Sequence, residues 1–356
     1  MERVLLLGAG KIGAAIVEML GTSGDFELTV GDHDEGLLAQ LHRDDVAQEM
    51  LDVENAADLR RVMDGKDAVV SALPYYLNTA VAGAARETGL HYFDLTEDVE
   101  TTRAVHTIAE GAQSAFMPQC GLAPGFISIV AHDLARRFDS LETVRMRVGA
   151  LPQFPTNALN YNLTWSTDGL INEYCNPCEA IHEGKRIEVL ALQGIEQFSL
   201  DGVRYEAFNT SGGLGTLCET LDGKVKELNY KTVRYPGHCD QMKLLCDDLR
   251  LGERRELFKD VLETAIPMTV QDVVLVFATV TGQRGGRLTQ ESYANKTYSQ
   301  KINGGQWSAI QITTAAGVCT MVDLMREGAL PTRGFLRQED VALDAFLGNR
   351  FGQYYG

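Results

Sequence analysis

The sequence predicts an α/β protein: a doubly wound parallel sheet, followed by a second α+β domain built on a mostly antiparallel sheet. Three observations carry this. The chain opens with an apolar run, Val4-Leu5-Leu6-Leu7, then a glycine turn, Gly8-Ala9-Gly10-Lys11-Ile12-Gly13, then a helical stretch from Ala14 to Leu20. Strand and helix patterns keep alternating up to residue 138, as expected for parallel strands joined by crossover helices. From Leu141 the period changes to two, with Val144, Met146 and Val148 alternating with Arg145 and Arg147, as on a half-exposed strand. At 356 residues the chain exceeds one ordinary core. The expected division is 1–122, completed by 306–356, and 123–305.

An apolar strand, a glycine turn and a helix in that order form a dinucleotide-binding fingerprint. Gly8 permits the tight turn, Gly10 lets backbone approach a pyrophosphate, and Gly13 lets helix pack on strand. Lys11 and Ile12 open the helix, whose free N–H groups and partial positive charge suit that pyrophosphate. A second strand, 26–31, ends at Asp32, nineteen residues after Gly13, the spacing of a ribose-binding acid. Its carboxylate would accept from the ribose hydroxyls and repel a 2′-phosphate. His33 and Asp34 bring no arginine to hold such a phosphate, so NAD is expected rather than NADP.

The remaining elements follow in order. Residues 36–43 suit a short helix, and Ala47–Leu51 leads to Asp52, which either flanks the adenine or caps the next helix through Arg61. Asp67 to Pro74 is a fourth strand and its exit loop, so Ser71, Leu73 and Pro74 border the nicotinamide half of the cofactor. After a small-residue helix, 77–88, comes a fifth strand, His91 to Asp94, then Glu97 and Asp98. These three carboxylates either receive an amine or act as a base, or they cap the helix starting near Val99. Ser114 to Pro118 is a sixth strand, leading into the turn 119–125 and a helix, 126–138. Further strands are expected at 186–200, 203–209, 225–234 and 272–281, a polar hairpin at 287–302, and a helix at 308–327 that returns to the first domain.

Bulk properties exclude several classes. A net charge of −17 argues against nucleic acid or an anionic membrane as partner. No apolar run spans a bilayer and no targeting segment is visible, so a cytoplasmic location is expected. Seven scattered cysteines do not form a disulfide framework. Cys175-Asn-Pro-Cys178, with His182 beyond, lacks the second pair that structural zinc needs, so no metal is expected.

Several motifs, in order along nearly the whole chain, resemble the saccharopine dehydrogenase family. They are Gly121-Leu-Ala-Pro-Gly125, Gly149-Ala-Leu-Pro152, Asn157-Ala-Leu-Asn-Tyr161, Thr164-Trp-Ser166 and Arg234-Tyr-Pro-Gly-His238. The resemblance is strongest to the L-lysine 6-dehydrogenase branch. It implies a Rossmann domain, a second domain for substrate and dimerisation, a homodimer, and redox chemistry at a carbon–nitrogen bond. Saccharopine-forming relatives carry aspartate in the middle of the Gly-Leu-Asp-Pro-Gly turn, where this chain has Ala123. The lysine branch carries Ala-Pro-Gly there.

The resemblance therefore implies oxidation of the ε-carbon of L-lysine with NAD. The semialdehyde that follows cyclises to the piperideine carboxylate. Such a site needs a carboxylate anchor, acceptors for ammonium groups, and an acid/base. Arg234 is the candidate anchor, or else a member of a structural ion pair. His238 is either an acid/base titrating near neutral pH or a structural histidine. Asp94, Glu97 and Asp98 compete for the reacting amine. Asn157, Tyr161 and Glu173 offer further polar contacts, Trp165 is core or a flat wall, and Cys120 is a small turn residue beside the substrate. Two alternatives stand beside this reading. A reductive amination would need a second anchor from Arg145, Arg147 or Lys231; a non-catalytic NAD(H)-binding protein would need none of these groups.

Overall fold

A computed structural model describes residues 1–41 and 43–356, and the chain divides into two compact units, Met1–Phe126 with Gln311–Gly356, and Ile127–Ile310. The first unit holds β1 (Glu2–Leu7), α1 (Lys11–Thr22), β2 (Phe26–Asp32), α2 (Glu35–Ala39), β3 (Ala47–Met50), α3 (Ala56–Met63) and β4 (Ala68–Ser71). It continues with α4 (Asn78–Thr88), β5 (His91–Asp94), α5 (Val99–Ala109) and β6 (Ala115–Met117), and ends its first stretch where α6 (Phe126–Ala135) begins. Of the expected helix 36–43, α2 ends at Ala39 and residue 42 lies outside the described residues.

The six strands and a late seventh, β17 (Gly334–Phe335), order as β17-β6-β5-β4-β1-β2-β3, all pairings parallel. The order reverses between β1 and β4, the topological switch point where doubly wound sheets bind ligands. Val4 to Leu7 and Ala68 to Val70 are fully buried on both faces, as a sheet covered by helices requires.

The second unit holds β7 (Ser140–Pro152), α7 (Thr167–Cys175), β8 (Cys178–His182), β9 (Lys185–Val189), β10 (Glu196–Leu200), β11 (Val203–Asn209), α8 (Leu217–Thr220) and β12 (Val225–Arg234). Then come α9 (His238–Lys243), α10 (Arg255–Ala265), β13 (Asp272–Arg284), β14 (Arg287–Tyr298), β15 (Gln300–Ile302) and β16 (Gly305–Trp307). The main path is β10-β11-β12-β7-β13-β14, with β8 on β12 and β9 on β8. Only β7 and β12 pair in parallel on that path. The chain closes with α11 (Ala309–Arg326), β17 (Gly334–Phe335) and α12 (Leu343–Gly348).

Three expectations change. The strand 186–200 breaks into β9 and β10, because the turn 190–195 contains Leu192 and Gly194 at positive φ. The hairpin 287–302 is really two hairpins. β13 meets β14 through Gly285-Gly286, and β15 meets β16 through Asn303-Gly304, all four residues at positive φ as tight two-residue turns demand. Arg147 is not an outward residue of β7: it is buried and ion-paired with Glu196.

Candidate functional site: a glycine cradle and a buried arginine

In the first unit, the glycine turn leaves β1 beside Asp32 and Ala72. Gly8 has φ +104, and a Cβ there would lie 2.9 Å from the Ala72 carbonyl oxygen. A Cβ on Gly13 would lie 1.9 Å from the Gly8 carbonyl oxygen, so α1 rests directly on the turn. Gly10, the N-cap of α1, meets nothing within 4 Å at its Cβ position. Its φ of −68° and ψ of −166° suit any residue. Strain therefore does not require a glycine at this position. Open space in front of a helix N-terminus fits a pyrophosphate, which a Cβ on Gly10 would obstruct. Lys11 and Ile12 supply the first helical amides, and Leu73 lies half-buried against the turn, with Pro74 exposed beyond it.

Asp32 is 6 % exposed; its Oδ2 accepts from Ala9 N at 2.7 Å and its Oδ1 from Asp34 N at 2.9 Å. The carboxylate thus locks the glycine turn to the end of β2, with lone pairs to spare for a ribose. His33 Nδ1 stands 3.2 Å from Asp32 Oδ1, while Asp34 caps α2. Two neighbouring expectations are corrected. Ser71 is fully buried and its hydroxyl donates to Asn78 Oδ1 at 2.7 Å, so it faces α4 rather than the crevice. Asp52 does not cap through Arg61: it accepts Glu54 N at 2.9 Å, Asn55 caps α3, and Arg61 pairs with Glu49. Asp52 itself is exposed just past the end of β3.

Asp94 is a structural tie, not an amine acceptor. It has no exposed surface; Oδ1 accepts from Thr96 N and Gln119 N at 2.9 Å each, and Oδ2 from Tyr92 OH at 2.7 Å. Burial pushes its carboxyl up to about 6, against these hydrogen bonds, which favour the ionised form. Its carbonyl accepts Cys120 N at 2.8 Å, fixing the start of the turn 119–125. Cys120 is likewise corrected: it is wholly buried, its Sγ donates to Met117 O, and burial pushes the thiol well above its ordinary range. The turn closes by Gly125, where φ is +128 and a Cβ would strike Gly121 O at 2.2 Å. Gly317 of α11 packs on Cys120 O, where a Cβ would lie at 2.5 Å. Glu97 and Asp98 stay half-buried, and Asp98 also caps α5 through Thr101 N at 2.8 Å.

In the second unit, Arg234 ends β12 and is 2 % exposed. Nε donates to Tyr174 Oη and Nη1 to Val233 O, both at 2.9 Å. It makes no ion pair among the described residues; Glu173, buried on α7, favours its charge electrostatically. Burial opposes its charge, while buried Glu173 and the Tyr174 oxygen that accepts its Nε–H favour it, and the guanidinium stays charged. A buried cation without a close carboxylate is costly unless an anion joins it. The Tyr161 ring lies 5.0 Å from Arg234 Cζ, and its buried hydroxyl has no partner among the described residues. Asn157 spends its amide on Tyr161 O at 2.6 Å, shaping the loop below the ring. Trp165 packs in the apolar cluster of Tyr161, Leu170 and Phe208.

His238 does not titrate near neutrality. It is 1 % exposed, with Nδ1 2.9 Å from Leu159 O and Nε2 3.0 Å from Tyr174 Oη. Burial and the Arg234 charge pull it down to about 3, so the ring stays neutral at working pH. Tyr174, which joins Arg234 to His238, is the residue that sequence reasoning passed over; nothing local connects it with positions sixty or more residues away.

Comparison with known proteins places these features. A family model for the saccharopine dehydrogenase NADP binding domain matches residues 4–117, and one for the saccharopine dehydrogenase C-terminal domain matches 121–350. The mitochondrial alpha-aminoadipic semialdehyde synthase of Mus musculus is 25% identical over 196 residues, 53% of this chain and 21% of that protein. The saccharopine dehydrogenase (NADP(+), L-glutamate-forming) of Saccharomyces cerevisiae is 24% identical over 201 residues, 54% of this chain and 45% of that protein. The matched stretch thus spans less than half the length of either relative. Apo saccharopine dehydrogenase (L-Glu forming) from Saccharomyces cerevisiae shares the fold, with a TM-score of 0.79, 17% identity, and coverage of 98% of this chain and 97% of that one. No helix among the described residues is long and apolar enough to cross a membrane.

Proposed function

The chain belongs to the saccharopine dehydrogenase family, oxidoreductases acting on the CH–NH group of amino acids, and from that premise we propose that it is an NAD-dependent L-lysine 6-dehydrogenase. The observation that carries an amino-acid substrate is Arg234, a buried guanidinium with no ion pair among the described residues. Its fork suits the α-carboxylate of the substrate. Ala123 favours lysine over saccharopine, because the turn 121–125 lacks the carboxylate that saccharopine-forming relatives carry there.

Gly8, Gly10 and Gly13, the first amides of α1 and Asp32 would hold the dinucleotide, which supplies the hydride acceptor when bound. Asp32 supports NAD over NADP, since a second negative charge beside its carboxylate is repelled. Glu97 and Asp98, half-buried just past the carboxyl end of β5, are the carboxylates proposed to accept the ammonium and carry the proton. Reductive amination of a keto acid is less well supported. Two of its candidate second anchors, Arg147 and Lys231, are both bound to Glu196.

The test is reduced-cofactor formation by the purified chain with NAD or NADP and a panel of L-lysine, L-ornithine and saccharopine. Turnover of lysine with NAD and release of ammonia is the expected result. Turnover of saccharopine alone, or a requirement for a keto acid, overturns the proposal.

A further inference from the structure

Three residues of the second unit form a directed chain of hydrogen bonds. The carbonyl of Leu159 can only accept, so His238 carries its proton on Nδ1, an assignment made from the partner. Nε2 is then a bare acceptor and takes the hydroxyl proton of Tyr174 at 3.0 Å. The Tyr174 oxygen turns a lone pair to Arg234 and receives its Nε–H at 2.9 Å. Each donor has one acceptor and the direction is fixed from one end to the other. The chain is braced from behind. Glu206, opposite Arg234 in the β11–β12 register, accepts Gly237 N and Cys239 N at 2.7 Å each and so holds the backbone on both sides of His238.

We infer that Tyr174 and His238 are positioning residues: they fix the plane of the Arg234 guanidinium so that it receives a substrate carboxylate in one orientation, and His238 transfers no proton. This rests on the reading of Arg234 as carboxylate anchor. Two of the three guanidinium nitrogens are committed to Tyr174 and Val233, and Nη2 takes part in neither bond. A flexible arginine would lose rotamer freedom whenever a ligand bound; here that ordering is built in before the ligand arrives. A protonated histidine could not serve, because an N–H at Nε2 cannot accept from Tyr174. Burial and the neighbouring cation keep the ring neutral.

The experiment uses the full chain, with Arg234→Ala, Tyr174→Phe, His238→Ala and His238→Gln, and with L-lysine as the probe. Tyr174→Phe, which deletes the charge-assisted hydrogen bond to Arg234, and His238→Ala, which frees the Tyr174 hydroxyl, should each raise the lysine KM on the order of tenfold and leave the cofactor KM unchanged. His238→Gln, which keeps an acceptor for Tyr174, should recover most of that. Neither change should add to Arg234→Ala, as expected of members of one chain. If Arg234→Ala leaves the lysine KM unchanged, or lysine is neither bound nor turned over, the anchor reading fails and the inference falls with it. If Arg234→Ala raises it while Tyr174→Phe and His238→Ala do not, the inference alone falls. An independent arm needs no substrate. Imidazole ¹⁵N shifts should report a neutral His238 protonated at Nδ1 throughout about pH 5 to about pH 8, and titration in that range overturns the inference.

Discussion

The glycine cradle and the Arg234 chain are both polar arrangements set into a packed interior, but they are built from different material. The cradle is main chain. Its geometry comes from three glycines within six residues and one carboxylate that grips Ala9 N. The Arg234 chain is side chain throughout, drawn from α7, the end of β12 and the start of α9. A backbone site is specified by where side chains are missing. A side-chain site is specified by register and burial far along the sequence. At Gly8 and Gly13 the first has no room for an added atom, and the second depends on atoms that a truncation removes.

The strongest way to break the backbone side is Gly13→Ala. A Cβ 1.9 Å from Gly8 O must lift α1 off the turn, because both sides of that contact are backbone. Overpacking of this kind costs roughly 3 kcal/mol, and cofactor affinity should fall by about a hundredfold together with a lower Tm. Gly10→Ala is the sharpening control. Its Cβ meets no protein atom within 4 Å, so Tm should hold while cofactor affinity falls; a calorimetric titration beside a thermal melt separates the two. If Gly10→Ala binds cofactor normally, the open space there is not the pyrophosphate site.

Buried carboxyls and the buried histidine lean in opposite directions with pH. Asp94 is raised by burial from 3.8 to about 6, so its native state binds the proton more tightly than the unfolded chain does. Its contribution is full below about pH 4 and is lost as pH rises through about 6. Asp272, which accepts Ile310 N at 3.0 Å and is raised by burial to about 6, has the same sign. His238 is lowered from 6.5 to about 3, so its contribution is full above about pH 6.5 and is lost as pH falls towards 3. At about 1.4 kcal/mol per unit, each carboxyl is worth on the order of 3 kcal/mol and the histidine somewhat more. Thermal melts of Asp94→Asn should show a shallower fall in stability between about pH 4 and about pH 6, and those of His238→Gln a shallower rise over the same span. Unaltered slopes in both variants would show that neither group titrates as its burial requires.

The same contrast explains what was legible in the sequence. The glycine turn and Asp32 are readable because they depend on neighbours within about thirty residues, and the parallel sheet because its strands and crossover helices alternate along the sequence. The capping role of Asp98 is readable as an option for the same reason. Asp94, Ser71 and Cys120 are different. They sit at strand ends where a crevice is expected, yet Gln119, Asn78 and Met117 consume their polar atoms, and only tertiary packing reveals that. Arg147 breaks its strand's alternation because Glu196 reaches it from β10. Tyr174 carries no local signal at all, since its partners come from β12 and α9.

Asp32 is where the two kinds of site meet, a side chain in the service of a backbone turn, and its removal should have the smallest effect of the three. Asp32→Ala deletes two acceptor contacts, from Ala9 N and Asp34 N, and also removes the charge that opposes a 2′-phosphate. The first loss should weaken NAD and NADP alike, by about tenfold for a charge-assisted hydrogen bond to the turn. The second should help NADP alone. The net expectation is a fall in NAD affinity with NADP nearly unchanged, so the ratio of the two Kd values narrows by about tenfold. Asp32→Asn divides the effects, because it keeps one acceptor oxygen and drops the charge. If Asn narrows the ratio as far as Ala while retaining more of the NAD affinity, charge sets the preference and hydrogen bonding sets the strength. Should the ratio stay fixed in both variants, Asp32 holds the turn and nothing more, and the preference for NAD loses its support.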